Sequence, residues 1–275
     1  MTELLHAARL DIAESLRARW FALYALVFGG LVAMLFAFGL AESRVLGFTG
    51  LSRLLVTYIQ LSMAILPVFV LITTVRSLAG DREAGVLEYM LSLPVPLASW
   101  YWGRFLGRFA TVFLPVFLAM LAAAAWGAAK GAAVPWSHIG FYTALLFSLA
   151  FCFIGLSFLV SSVARTLEIA QGAAFLVWLL LLLFLDLILL GVVIKAQAPV
   201  QAVVALALLN PLQAFRVAAM MLFDPDLVML GPSAFVILDT FGYAGYLAWA
   251  LLYPIVLGLA AGGMGYLVFR SRDLV

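Results

Sequence analysis

The stretch GDREAGVLEYMLSLPVP, residues 80–96, holds four of the chain's 28 charged residues (15 basic, 13 acidic) and sits between two long apolar runs, 54–77 and 104–129. A soluble domain is about 25% charged and about half apolar. This chain of 275 residues is 10% charged and 67% hydrophobic, with a mean hydropathy of +1.20. One chain of this length has no core large enough for that much apolar surface, so the surplus faces lipid. The runs are continuous and long. A barrel strand would alternate apolar and polar residues over about 10 positions, so helical spans are the expectation.

Outward from the opening stretch, six spans fit: 20–40, 54–77, 104–129, 139–161, 169–194 and 243–269. The expected fold is an all-α membrane protein with six transmembrane helices in a single transmembrane domain covering 1–275. The first run is read as a retained span. It is about 20 residues long and follows mixed polar sequence, whereas a signal peptide carries an apolar stretch of about 7–15. Pro67 in the second run predicts a kink. The segment VQAVVALALLNPLQAFRVAAMMLF, residues 200–223, is broken at Asn210-Pro211, because a residue before proline avoids the α conformation. It predicts broken helices on the outer side before span six rather than a seventh crossing.

Orientation follows from the basic residues of the loops. With the N-terminus inside, ten Lys and Arg lie on the cytoplasmic side and five outside, which places both termini and the opening stretch in the cytoplasm. The net charge of +2 gives no reason to expect a nucleic-acid partner. One cysteine, Cys152, inside an apolar run, allows neither a disulfide framework nor a thiolate metal cluster.

Read as a helix, residues 81–93 put Val86, Leu87, Met90, Leu91 and Leu93 on one stripe and Asp81, Gly85, Glu88 and Ser92 on the other, the spacing of an amphipathic helix. Asp81 and Glu83 suit its positive end, and Pro94 and Pro96 stop it. The expectation is a helix along the cytoplasmic membrane face. Its charged edge either serves a partner or simply fixes the loop at the interface. The N-terminal LLHAARLDIAESLRARW, residues 4–20, is amphipathic too. Leu5, Ala8, Ile12 and Leu16 share a face, and the segment is expected to lie along the inner leaflet.

GDREAGVLEYMLSLPVPLASWYWGRFLG, residues 80–107, resembles the cytoplasmic loop of type-2 ABC exporter permeases. In that family an acidic–basic–acidic group, a glycine, a leucine-rich stretch and a proline precede a basic residue that opens the third span. Asp81, Arg82, Glu83, Gly85, Leu87, Glu88, Leu91, Leu93, Pro94 and Arg104 match it. The resemblance implies that the loop is a coupling helix docking into an ATPase subunit. It also implies that the chain works as a homodimer in a bacterial inner membrane. LLFLDLILLG, residues 182–191, followed by LLNPLQAFRVAAM, residues 208–220, is similar to permeases of nitrous oxide reductase maturation (Nos) systems. That narrower resemblance implies a NosF-like ATPase, a NosD-like periplasmic partner, and movement of a sulfur species for assembly of the copper–sulfide centre. The wider family also leaves room for a drug, lipid or polysaccharide substrate.

The chain has no G-x-x-x-x-G-K-[ST] phosphate loop: the glycines of GRFLGRF, residues 103–109, have the wrong spacing. ATP and Mg are therefore expected on a separate subunit, with no cofactor in this chain. Asp186, inside span five, costs about 2.5–3.5 kcal/mol on insertion scales, so it faces a cavity, a partner or a subunit interface. Two readings stand for it: a paired structural charge, or a transport role. Arg216 either meets a periplasmic partner or anionic substrate, or pairs with Asp224 or Asp226. Met220, Met221 and Met229 read as packing rather than as a Cu(I) site. A non-transporting membrane anchor or respiratory membrane subunit is the alternative from another class, and His6 and His138, near span ends, count against its haem-bearing form. Intramembrane hydrolysis lacks its nucleophile or metal constellation. A six-helix secondary transporter would have no use for a coupling helix. Arg165 and Glu168, in SSVARTLEIAQG (161–172), read as an ordinary solvated turn.

Overall fold

A computed structural model describes residues 2–17, 26–27, 30, 49–91, 95–129, 136–184, 208–221 and 232–271. The elements are α1 (Thr2–Arg17), α2 (Thr49–Glu83), α3 (Val86–Leu91), α4 (Leu97–Ala129), α5 (Trp136–Val163) and α6 (Leu167–Leu179), which continues into a π-helical turn (Leu180–Phe184). They are followed by α7 (Pro211–Met221) and α8 (Pro232–Ser271). All regular structure among the described residues is helical.

Four of these stretches are long and apolar enough to cross a bilayer: Ser62–Glu83, Leu97–Trp126, Trp136–Val163 and Phe241–Ser271. At 1.5 Å per residue they measure about 33–46 Å, against a hydrocarbon core of about 30 Å. The expected first span, 20–40, lies outside the described residues except at 26, 27 and 30, and so does the 185–194 half of the fifth. The described part of that fifth run, Leu167–Leu183, is a shorter apolar helix.

The two span boundaries that flank the loop differ most plainly from the sequence expectation. α2 continues unbroken to Glu83 rather than ending at 77, since nothing before Gly85 stops a helix. α4 begins at Leu97, directly after Pro96, rather than at Arg104. Arg104 can sit inside the helix because carboxylates from two other elements reach it there. α2 and α4 run through Pro67 and Pro115.

α5 is the spine of the bundle, with Tyr142, Leu145, Leu149, Phe153 and Phe158 buried along it. α8 lies against it in direct backbone contact. A Cβ on Gly155 would fall 2.1 Å from the Gly258 carbonyl oxygen. Lipid tails are as apolar as leucine, so close packing and polar ties, not hydrophobic expulsion, hold membrane helices together. The ties here are the Ser148 hydroxyl donating to the Leu251 carbonyl (2.6 Å) and the Tyr101 hydroxyl donating to the Gly262 carbonyl (2.9 Å).

The helix ends sort into two sets. One end of the bundle gathers α1, the C-termini of α2, α5 and α8, and the N-termini of α4 and α6; we call it the charged end. At the opposite end Asn210 begins α7, as the Asn-Pro break predicts. Its Oδ1 accepts from the Leu212 N–H (3.0 Å), its carbonyl accepts from Ala214, and Pro211 takes the first helical position, where a missing N–H costs nothing. Asn210 Nδ2 donates to the Leu181 carbonyl in the π turn (2.7 Å). α8 is kinked at Gly242, whose φ of 64° is left-handed, one residue into the last span.

Candidate functional site: the charged end of the bundle

The loop that the sequence marks is not one helix. α2 ends at Glu83, Ala84 and Gly85 form a turn, and the six-residue α3 follows. Gly85 has φ +70°, a conformation that side chains disfavour, and this is what separates the two helices. The expectation of a continuous helix over 81–93 is therefore corrected. Asp81, Arg82 and Glu83 form the last turn of span two and do not start the loop helix. For Glu83 the favourable helix N-terminus is that of another helix, α6, while Asp81 meets an arginine side chain.

Each residue of the triplet grips a different part of the chain. Asp81 pairs with Arg104 of α4. Arg82 Nη1 donates to the carbonyl of Ala164, the residue that follows α5 (2.8 Å). Glu83 Oε2 accepts from the backbone N–H of Leu167, the first residue of α6 (3.0 Å). Thr166 caps the same helix by accepting from the Ile169 N–H (3.3 Å). The guanidinium of Arg82 also lies 6.0 Å from the ring of Phe269, near the end of α8. All three residues are engaged within the chain.

Arg104 is the hub. Besides Asp81 it meets Glu14 Oε2 (3.2 Å) and Asp11 Oδ1 (3.8 Å) of α1, and donates to the Ser77 carbonyl of α2 (3.1 Å). Its guanidinium lies 5.0 Å from the ring of Trp100, which stacks on Phe269 at 5.7 Å. Arg108, one turn on, reaches Asp11 at 2.9 Å. Burial pushes the Asp11 carboxyl above the ordinary carboxylate range, against the pull of Arg108 and Arg104. Such a contact contributes little net stability while whole and costs several kcal/mol when one partner is removed, because a buried charge is left behind.

α1 docks here through small residues. A Cβ on Gly103 would fall 2.6 Å from Ala7 Cβ, and one on Gly107 would fall 2.7 Å from the Ala8 carbonyl oxygen. The face of α1 that meets α4 carries Ala7, Ala8, Asp11 and Ser15, while Leu5 and Leu16 stay exposed. The amphipathic reading of this segment is right about the helix. It misses that the small and polar stripe is the one buried against protein.

In α3, Leu87 is buried against the core while Val86 and Tyr89 are exposed, Tyr89 at 68%. The side chains of Glu88 and Leu91, and Pro94 and Asp186 entirely, lie outside the described residues. Arg216 is on α7 at the opposite end, half-buried and within electrostatic reach of the buried Tyr246 hydroxyl. Asp224 and Asp226 lie outside the described residues. The structure therefore brings Asp81, Arg82 and Glu83 together with residues not singled out beforehand: Asp11, Glu14, Arg108, Ala164 and Leu167. No group of His, Cys, Asp and Glu among the described residues is arranged to hold a metal ion.

The ABC-2 family transporter protein family matches residues 5–274. A protein of Pseudomonas aeruginosa named probable ABC transporter permease protein NosY is 27% identical over 277 residues, covering 97% of this chain and 98% of that protein. Its namesake from Stutzerimonas stutzeri is 25% identical over 223 residues, covering 78% of this chain and 80% of that one.

Proposed function

The chain belongs to the ABC-2 transporter family as a multi-pass membrane permease, and on that premise we propose that ATP-driven work enters it through α3 from a separate ATPase subunit. The observation that carries this reading is the form of the charged end. α3 is anchored by Leu87, presents Val86 and Tyr89 to the outside, and is joined by two residues to a triplet that touches α4, α5, α6 and α8. A push on α3 is thus delivered to most of the bundle. On this reading the charged end is cytoplasmic, in agreement with the excess of basic residues there, and the membrane is a bacterial inner membrane. A second copy of the chain supplies the other half of the translocation path.

Two relatives, matched over 97% and 78% of this chain, bear the NosY name, and Asp186 and the Asn210-Pro211 break resemble the pattern of Nos-type permeases. These support a sulfur species as substrate, moved outward for assembly of the copper–sulfide centre of nitrous oxide reductase. A NosF-like ATPase and a NosD-like periplasmic protein would be the partners. ATP and Mg belong to the ATPase.

Co-expression with an ATP-binding-cassette subunit encoded beside the chain, followed by affinity purification in detergent, tests the coupling. The ATPase is expected to co-purify with wild type, and Val86→Glu combined with Tyr89→Ala is expected to abolish that while leaving the permease folded. Unchanged recovery of the ATPase with the double variant would remove α3 as the docking element. For the substrate, a strain lacking the chain should make nitrous oxide reductase without its copper–sulfide absorption, restored by the wild-type copy. A fully assembled centre in the deletion strain would reject it.

A further inference from the structure

We propose that Arg82 and Glu83 are positioning residues that carry the stroke of α3 to span five by gripping the three-residue turn, 164–166, between α5 and α6. The proposal rests on the exporter reading above and adds a route to it.

The two charges are adjacent, opposite in sign, and matched in order to what they hold. A helix C-terminus is negative and an N-terminus positive. Arg82 donates to the carbonyl of Ala164, just past the C-terminus of α5, and Glu83 accepts from the first N–H of α6. The chain passes from one pole to the other within 164–166, and the arginine–glutamate order follows the same direction. Reversing the pair would set each charge against the wrong pole.

Apolar packing alone would transmit this movement poorly. α6 packs against α2, but Ala170 and Ala174, its fully buried residues, are small. A face of small side chains slides, as in shear between packed helices. Two directional hydrogen bonds from neighbouring residues fix both position and rotation of the turn they hold. At the other side only Ala84 and Gly85 separate Glu83 from α3, and both amides bond back into the last turn of α2, Ala84 to the Gly80 carbonyl (3.0 Å) and Gly85 to the Arg82 carbonyl (3.2 Å). Input at α3 and output at α6 are therefore one helical turn apart. Asp81 addresses a different set, α4 and α1, through Arg104. The triplet divides the stroke, with one branch to spans four and five and one to span three and the N-terminal helix.

The experiment uses the full chain in complex with its ATPase, in lipid nanodiscs. Spin labels on Ala84→Cys and Ile169→Cys, both exposed positions, report the α2–α6 distance; native Cys152 is buried. In wild type the distance is expected to be the same with and without trapped ATP, since both sites move as one body. In the charge exchange Arg82→Glu/Glu83→Arg, composition is unchanged. The ATPase should still bind and keep its basal hydrolysis, but the distance should broaden, become ATP-dependent, and lose coupling of hydrolysis to transport. Glu83→Ala should speed tryptic cleavage after Arg165 about two- to fivefold, the effect of a charge at an exposed helix terminus. Glu83→Gln, whose amide oxygen still accepts from Leu167, should recover part of the protection. An ATPase-bound wild type whose 84–169 distance shifts with ATP, or a charge exchange that leaves distance and coupling as in wild type, overturns this proposal alone. A wild type that binds no ATPase overturns the exporter reading, and the stroke with it.

Discussion

The two ends of the bundle are held by different chemistry. At the charged end, helix termini are tied by ions: Asp11, Glu14, Asp81, Arg104 and Arg108 form one linked set, and Arg82 and Glu83 clasp a turn. At the opposite end the ties are neutral donors on backbone carbonyls. The Tyr142 hydroxyl donates to Ala219 (3.0 Å), Asn210 Nδ2 to Leu181 (2.7 Å), and Trp249 Nε1 to Leu208 (3.4 Å). Both sets connect helices distant in sequence. Ion pairs act over several ångströms and survive small displacements, because attraction falls slowly with distance. Neutral hydrogen bonds weaken steeply once bent or stretched. The ion-paired junction of α1, α2 and α4 can therefore shift and stay joined, while the Arg82–Glu83 clasp and the opposite end hold one register or let go.

That contrast can be broken by measuring stability at each end. The largest effect is expected for Arg104→Ala, which leaves the buried Asp11 carboxylate with Arg108 alone and frees Asp81 and Glu14: about 3–5 kcal/mol, read as a lowered thermal unfolding midpoint in detergent. Adding Asp11→Asn should recover only part of that loss, since it removes the under-compensated carboxylate but also the ion-pair partner of Arg108. Asn210→Ala removes a helix cap and the tie to the π turn, and about 0.5–2 kcal/mol is expected by the same measurement. Ser148→Ala deletes a single hydroxyl–carbonyl bond between α5 and α8, worth about 0.6 kcal/mol. A larger loss for Asn210→Ala than for Arg104→Ala would reverse the contrast and make the neutral end the structural anchor.

Much of the bundle is legible in the sequence because lipid imposes a simple rule. Long apolar runs must be helices, and the described parts of the second, third, fourth and sixth runs are. The Asn210-Pro211 break is legible for the same local reason, since proline restricts the residue before it. What escapes is what depends on partners distant in the chain. Arg104 looks like the start of a span because an unpaired guanidinium would belong at the membrane edge. Three carboxylates from α1 and α2 make it an interior residue of α4. Asp81 and Glu83 look like the first turn of a surface helix because acids favour that place. Glu83 satisfies that preference on α6, 84 residues further along, where its partner is a backbone N–H with no side-chain signature. Gly85 was the available clue, a residue suited to ending one helix before another begins. Arg165 and Glu168 read as an ordinary solvated turn, and the groups held there are the carbonyl of Ala164 and the amide of Leu167, which carry no side-chain signature.

One turn before the triplet, the Ser161 hydroxyl of α5 stands between two backbone groups of α2, accepting from the Ala79 N–H (3.0 Å) and donating to the Val75 carbonyl (2.9 Å). Those groups are four residues apart, the spacing of one helical rung, so a single hydroxyl of α5 is stitched to one turn of α2. Ser157, one turn back, shows the alternative for such a hydroxyl: it donates to Phe153, four residues behind it in its own helix (2.6 Å). If Ser161 turned the same way, both of its ties to α2 would be released while its own hydroxyl stayed bonded. Spans two and four thus share a joint that one serine rotation makes or releases, placed one turn below the residues that clasp the rest of the chain.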